Sequence, residues 1–206
     1  MSLPHFFLRE QVLAFESATV FALHLDADDT KHAIVLRLAV GEHIAVVDAV
    51  SDYFECEIVS FEGDELSVSI AQKLSSYARP EVVLVQGLAK GEKMDTIVRH
   101  ATEVGIAEFV PMTTSRSVVK LDARKSKARF ERWASIAKSA AMQSGRSSKP
   151  VVHAPCSVAG AVDIAKDCDA VLICWEEAEL SNTLAKAVSC CIAATGKDTR
   201  SLRIAL

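Results

Sequence analysis

Two spacings of hydrophobic residues divide the chain. From residue 5 to about 72, apolar residues fall in short runs at 20–25, 43–47, 53–61 and 66–70, separated by turn and polar residues. In the last run Leu66, Val68 and Ile70 share one face while Ser67 and Ser69 share the other, the period of a half-buried antiparallel strand. Glu62-Gly63-Asp64 before it reads as a hairpin turn. A short helix interrupts these strands, with Asp28 or Asp29 as its cap and Ile34, Val35 and Leu38 on its apolar side. The pattern predicts a small β-barrel-like domain over residues 1–74.

The polar, proline-closed stretch 75–80 is the expected linker, and beyond it strands alternate with helices. Residues 81–88 form a continuous apolar run of the kind buried on both faces of a sheet. A helix follows with Met94, Ile97, Val98, Ala101 and Val104 at helical spacing, stopped by Gly105, then a strand at 106–111. A long helix over about 125–144 carries Phe130, Trp133, Ala137, Ala140 and Ala141 on one stripe and ends at Gly145. Next come a strand at 151–153, a helix opened by Ser157, a strand at 170–175, a helix over about 180–194 and a strand beginning at Leu202. This alternation predicts an α/β domain over 81–206 built on a mainly parallel sheet with helices on both faces.

Composition narrows the class. Half of the 206 residues are hydrophobic and 24% are charged, which excludes disordered and fibrous chains. No window approaches 18 uncharged apolar residues and the N-terminus lacks the pattern of a secretion signal, so a cytosolic location is expected. The six cysteines show no C-x-x-C spacing and read as small buried hydrophobes. The net charge of −4 conceals a partition: residues 1–80 carry −8, 81–115 carry −2, 116–149 carry +8 and 150–206 carry −2. A concentrated positive window in an acidic protein is the electrostatic footprint of a nucleic-acid binder, and also that of a solvated basic helix.

Most familiar catalytic patterns are missing. Gly87-Leu88-Ala89-Lys90-Gly91-Glu92-Lys93 lies between a strand and a helix, but its glycines are four apart and Met94 stands where a P-loop needs a hydroxyl. A nucleotide hydrolase is thereby excluded, and no G-x-G-x-x-G dinucleotide pattern occurs. Lys90 and Lys93 at a helix N-terminus favour an anionic ligand, or are ordinary turn lysines. The histidine and cysteine spacings indicate no metal site, and no G-x-S-x-G elbow exists. Arg116-Ser117-Val118-Val119-Lys120 and Gln143-Ser144-Gly145-Arg146 place cations in loops beside the sheet, suited to phosphates or to capping helix carbonyls.

Taken in order, these segments resemble one family. Gln86 to Asp95 (Q-G-L-A-K-G-E-K-M-D), Ala101-Thr102-Glu103-Val104-Gly105-Ile106, Val110-Pro111 with Arg116 to Lys120, Arg132-Trp133 and Gln143 to Arg146 look like successive motifs of the bacterial 16S rRNA uracil-N3 methyltransferases of RsmE type, a branch of the knotted SPOUT superfamily. His5-Phe6-Phe7 and the stretch from His32 to Glu42 look like that family's PUA-like barrel. The resemblance implies a cytoplasmic, S-adenosylmethionine-dependent enzyme that methylates N3 of a uridine in 16S rRNA of the small ribosomal subunit and forms a homodimer. It implies Arg9, Arg116 and Arg146 as candidates for the cation beside the uracil oxygens, each alternatively a phosphate contact or a cap. Arg37, Lys90, Lys93, Lys120, Lys125, Lys127 and Arg129 are the expected RNA-binding residues. Trp175, Glu176 and Leu206 are the expected remnant of the cofactor pocket. The family's G-P-E-G-G loop and the strand and helix that complete its knot are not in this sequence. A fragment truncated before the knot, keeping the RNA-facing parts without normal cofactor binding, is therefore expected, the alternative being a non-catalytic rRNA-binding or ribosome-associated module.

Overall fold

The computed structural model describes residues 3–75, 78–117, 119–179 and 181–206. The described chain forms two compact units: residues up to 75 together with Ala141–Lys149, and residues 78–140 together with Pro150–Leu206. Two residues of the expected linker, Ser76 and Tyr77, lie outside the described residues.

The first unit is a five-stranded sheet with β1 (His5–Phe7), β2 (Val20–Ala22), β3 (His43–Val47), β4 (Tyr53–Glu62) and β5 (Glu65–Leu74), ordered β1-β3-β4-β5-β2. All pairings are antiparallel except β1 with β3. Gly63 opens the two-residue turn between β4 and β5 with φ +62°, a conformation that glycine adopts without a Cβ penalty. Phe6, Ile44, Val46, Cys56, Ile58, Leu66 and Val68 form the core. Ile70, expected on that face, is partly exposed, because the β4–β5 register shifts between Glu55 and Cys56 and the alternation lapses there.

Helix α1 (Ala27–Leu36) corrects two expectations. Its cap is Asp26, whose carboxylate accepts from the amides of Asp28 (3.1 Å) and Asp29 (2.9 Å). The helix buries Asp29 and Ala33, so Ile34 and Val35 are 48% and 76% exposed, and of the expected apolar side only Leu38 packs on the core. Residues Ala141 and Met142 pack with Phe7, Val47 and Tyr53.

The second unit is a parallel sheet ordered β10-β11-β6-β7-β8, in which β6 is Glu81–Gly87, β7 Glu108–Thr113, β8 Val151–Val152, β10 Ala170–Val171 and β11 Arg203–Ala205. A short β9 (Cys156–Ser157) also pairs with β7. Helices α2 (Lys93–Val104) and α3 (Ala123–Gln143) bury Met94, Val98, Trp133 and Ala137 against Phe109 on one face. Helix α4 (Val158–Ala165), capped by Ser157 as expected, covers Val83 and Val110 on the other. Helix α5 (Leu184–Thr195) starts later than expected at its Thr183 cap and packs on Leu202 and Ile204; Leu180 lies outside the described residues. The strand expected at 170–175 keeps two residues, because the chain leaves the sheet after Val171. Among the described residues no helix is long and apolar enough to cross a membrane.

Candidate RNA interface

Parallel register puts the loops after β6 and β7 at the same, carboxyl edge of the sheet, since Gly87 lies level with Met112. That edge is where open α/β sheets bind ligands. Lys90 is exposed in the loop after β6, and Lys93, also exposed, is the first residue of α2. The N-cap of α2, Glu92, makes no side-chain capping bond. After β7, Ser117 accepts from the Thr114 amide (2.9 Å) and donates its own amide to the Thr114 carbonyl (3.0 Å), a tight turn that leaves Arg116 exposed. Lys120 is exposed just beyond, and Val118 between them lies outside the described residues.

Helix α3 supplies the remaining cations. Asp122 caps it, accepting the Lys125 amide at 2.8 Å, and also lies 3.4 Å from the Lys125 ammonium. Lys127 stands 3.9 Å from Glu131. Both pairs are well exposed, so solvent screens them and both lysines remain available to an anion. Arg129 is half-buried and lines a small, shallow cleft of about 20 Å³ with Leu88, Ala89, Gly91, Met94, Val119, Leu121 and Trp133.

The most constrained group here is Asp95, in the first turn of α2. Its Oδ2 accepts from Arg132 Nε (2.8 Å) and Nη2 (2.6 Å), and its Oδ1 accepts from Trp133 Nε1 (3.1 Å). The Arg132 guanidinium holds the Asp95 carboxyl below the usual carboxylate range, against the opposing effect of burial. Arg132 is thereby neutralised and drops out of the free positive charge. Both residues lie within sequence motifs, but their pairing is not legible there, because 37 positions separate Asp95 from Arg132.

The three candidate catalytic arginines do not all lie in one unit. Arg9 and Arg146 belong to the first and Arg116 to the second. Arg9 ion-pairs with Asp26 at 2.9 Å, and Arg37, in the left-handed conformation just after α1, is exposed. Trp175 and Glu176 are exposed past the carboxyl end of β10, with Trp175 61% exposed. Leu206 follows β11, and its main chain is committed to β6, the amide to Val83 (2.9 Å) and the carbonyl to Val85 (2.7 Å), so only its side chain is free for a ligand.

A second charged cluster, which no sequence motif marks, occupies the amino edge. Arg203 bonds Glu81 (2.7 Å) and Glu108, and Glu108 also accepts from or pairs with His153 (2.7 Å). Burial opposes ionisation of Glu108, yet the bonds from His153 and Arg203 outweigh it and keep the carboxyl below its usual range. Its place opposite the loops marks it as a tie between strands.

A parallel α/β unit with cations gathered at its carboxyl edge, joined in one chain to a mostly antiparallel sheet, defines an α/β protein suited to an anionic polymer. Residues 77–202 match the RNA methyltransferase domain family, and the chain belongs to that family. Its relatives include Ribosomal RNA small subunit methyltransferase E of Bacillus subtilis (strain 168), 31% identical over 179 residues that cover 85% of this chain and 69% of the relative. The protein of the same name from Aquifex aeolicus (strain VF5) is 34% identical over 60% of this chain and 54% of its own length. A crystal structure of a hypothetical protein matches with TM-score 0.80 and 28% identity, over 98% of this chain and 79% of that one. Ribosomal RNA small subunit methyltransferase E from Neisseria gonorrhoeae, solved bound to S-adenosyl methionine, shares the fold with TM-score 0.74 at 20% identity, over 98% of this chain and 78% of that one.

Proposed function

We propose that this chain methylates N3 of a uridine in 16S rRNA of the small ribosomal subunit, using S-adenosylmethionine. The observation that carries the reading is the set of exposed cations on α3 and on the two loops at the carboxyl edge, in a chain of the RNA methyltransferase family. N3 of uracil bears a proton and lies on the pairing edge, so the base must be unpaired or turned out before reaction. Lys90, Lys93, Lys120, Lys125 and Lys127 hold phosphates of the RNA, Arg129 binds it at the cleft, and Arg37 is an RNA contact of the first unit, read here as a PUA-like barrel. Of the three arginines, Arg116 is the one on the carboxyl edge; set beside O2 or O4 it stabilises the uracil anion left when the N3 proton departs. Arg9 and Arg146 serve phosphate contact in this reading.

The residues at the ends of β10 and β11 fit the cofactor in kind. Trp175, an aromatic ring exposed beyond a strand end, suits the face of an adenine; Glu176 suits ribose hydroxyls; Leu206 adds apolar contact. When bound, S-adenosylmethionine supplies an electrophilic methyl group on a sulfonium. The protein's contribution is then to align N3 with that methyl carbon and exclude water, and such positioning provides much of the rate. In this reading the complete enzyme is a homodimer and works in the cytoplasm.

The test is incubation of the chain with S-adenosylmethionine and small ribosomal subunits from cells lacking the modification, followed by digestion to nucleosides and mass spectrometry. N3-methyluridine above the no-enzyme level is expected. Methyl transfer to another position overturns the N3 assignment, and RNA binding without any transfer overturns catalysis by this chain, in favour of the fragment without normal cofactor binding or of the non-catalytic module.

A further inference from the structure

We propose that Asp95 is a positioning residue for RNA engagement: its single carboxylate sets the register of α3 on α2 and so presents Arg129 at the cleft. The inference rests on the reading of α3 as the RNA-facing helix. Three donors from two successive α3 residues converge on Asp95, at 2.6, 2.8 and 3.1 Å, and its side chain is only 10% exposed. Trp133, one of the donors, is 2% exposed and is the aromatic wall of the cleft. Arg129 precedes Trp133 by four residues and therefore stands one turn away on the same side of α3. The cleft joins that arginine to Leu88, Ala89, Gly91 and Met94, the residues bracketing Lys90 and Lys93.

A planar guanidinium that donates from both Nε and Nη2 to Oδ2, while the Trp133 indole donates to Oδ1, fixes rotation as well as distance, which a point charge does not. Loss of the tie removes this polar anchor between α2 and α3, and the apolar contacts among Met94, Val98, Trp133 and Ala137 tolerate sliding better than three directed bonds do. The cations would then remain on the helix while losing their common placement. Asp95 acts through Arg132 and Trp133, with no substrate contact of its own.

The charge arithmetic makes the proposal separable from simple electrostatics. Asp95→Asn removes a negative charge beside the basic strip and releases Arg132, so long-range attraction alone predicts tighter RNA binding and a steeper salt dependence. Positioning predicts weaker binding, by roughly tenfold, the size of one charge-assisted pair, with the salt dependence steeper all the same. A change that only lowers the folded fraction weakens binding without steepening it.

The experiment measures binding of a fluorescein-labelled, uridine-containing RNA hairpin from 50 to 300 mM salt, roughly the span over which counterion release dominates, for the wild-type chain, Asp95→Asn, Arg132→Lys and the double variant. Arg132→Lys keeps the charge, cannot make the planar two-nitrogen contact, and alters a side chain that is half in solvent, so it remains informative if Asp95→Asn fails to fold. We expect Arg132→Lys to bind several-fold more weakly with a wild-type melting temperature, and the double variant to be no weaker than the worse single one, as for two members of one pair. Wild-type affinity in Arg132→Lys, or tighter binding in Asp95→Asn, overturns the positioning role while leaving the RNA reading intact. Failure of the wild-type chain itself to bind the hairpin overturns both.

Discussion

At the scale of single residues, the Glu108 carboxylate gathers two ion-pair partners on one site. It joins β7 to β11 through Arg203 and takes His153 from the residue after β8, so its ionised form is favoured in the fold. A carboxyl whose folded pKa is depressed contributes stability that is present above the unfolded pKa of about 4.3 and is lost as pH falls through the lower folded value. Urea midpoints for the wild-type chain should therefore fall on acidification from pH 6 to pH 3.5. Glu108→Gln should lower the neutral-pH stability by about 1–3 kcal/mol, since Arg203 then keeps Glu81 as its remaining carboxylate partner, and should flatten the acid limb. An acid limb identical to wild type would show that other carboxyls carry it. Such clusters are not legible in sequence: Arg203 and Glu108 are 95 positions apart and meet because parallel pairing brings both to the β6 edge. Caps are legible because they are local, and Ser157 bonds the Gly160 amide three residues on. Three aspartates within four residues offer a helix several starts, which is why the cap of α1 fell at Asp26 instead of Asp28 or Asp29.

At the scale of elements, the α3 stripe shows what periodicity reads well. Trp133, Ala137, Ala140 and Ala141 are all buried, as their spacing requires. On α2 the same rule succeeds for Met94 and Val98 and fails for Val104, which is 82% exposed, while Thr102 takes the buried position four residues after Val98. Hydrophobicity alone does not say where a stripe ends; the neighbouring element does. The run at 170–175 fails for a related reason, since β11 offers register partners to Ala170 and Val171 only. Trp133 lets the two contributions of α3 be separated. Trp133→Phe keeps most of the ring volume and removes the donor to Asp95, an expected cost of about 1 kcal/mol. Trp133→Ala also opens a cavity beside Phe109, for about 3–5 kcal/mol. Denaturation of both variants checks this, and near-equal losses would mean that the indole bond, not packing, holds α3.

At the scale of the whole chain, charge is partitioned, and the partition predicts a binding signature. The −8 of residues 1–80 and the +8 of residues 116–149 cancel in the sum, so neither the net charge nor its sign reports an RNA surface. The sequence made the window visible, but not which of its cations are free. Arg132 is bound to Asp95, whereas Lys125 and Lys127 face only exposed partners and Arg129 lines the cleft. Reversal of Lys125, Lys127 and Arg129 to glutamate should therefore weaken RNA binding at least a hundredfold and reduce the slope of log affinity against log salt by about three contacts. The three single reversals should not be equal. Lys125→Glu and Lys127→Glu each remove one phosphate contact and should weaken binding roughly alike across RNA sequences. Arg129→Glu should cost more and reduce preference among RNAs as well, because its guanidinium is half-buried beside the apolar walls of the cleft, whereas the two lysines stand out in solvent. A uniform loss across the three would place Arg129 among the phosphate contacts and leave the cleft without a part in recognition.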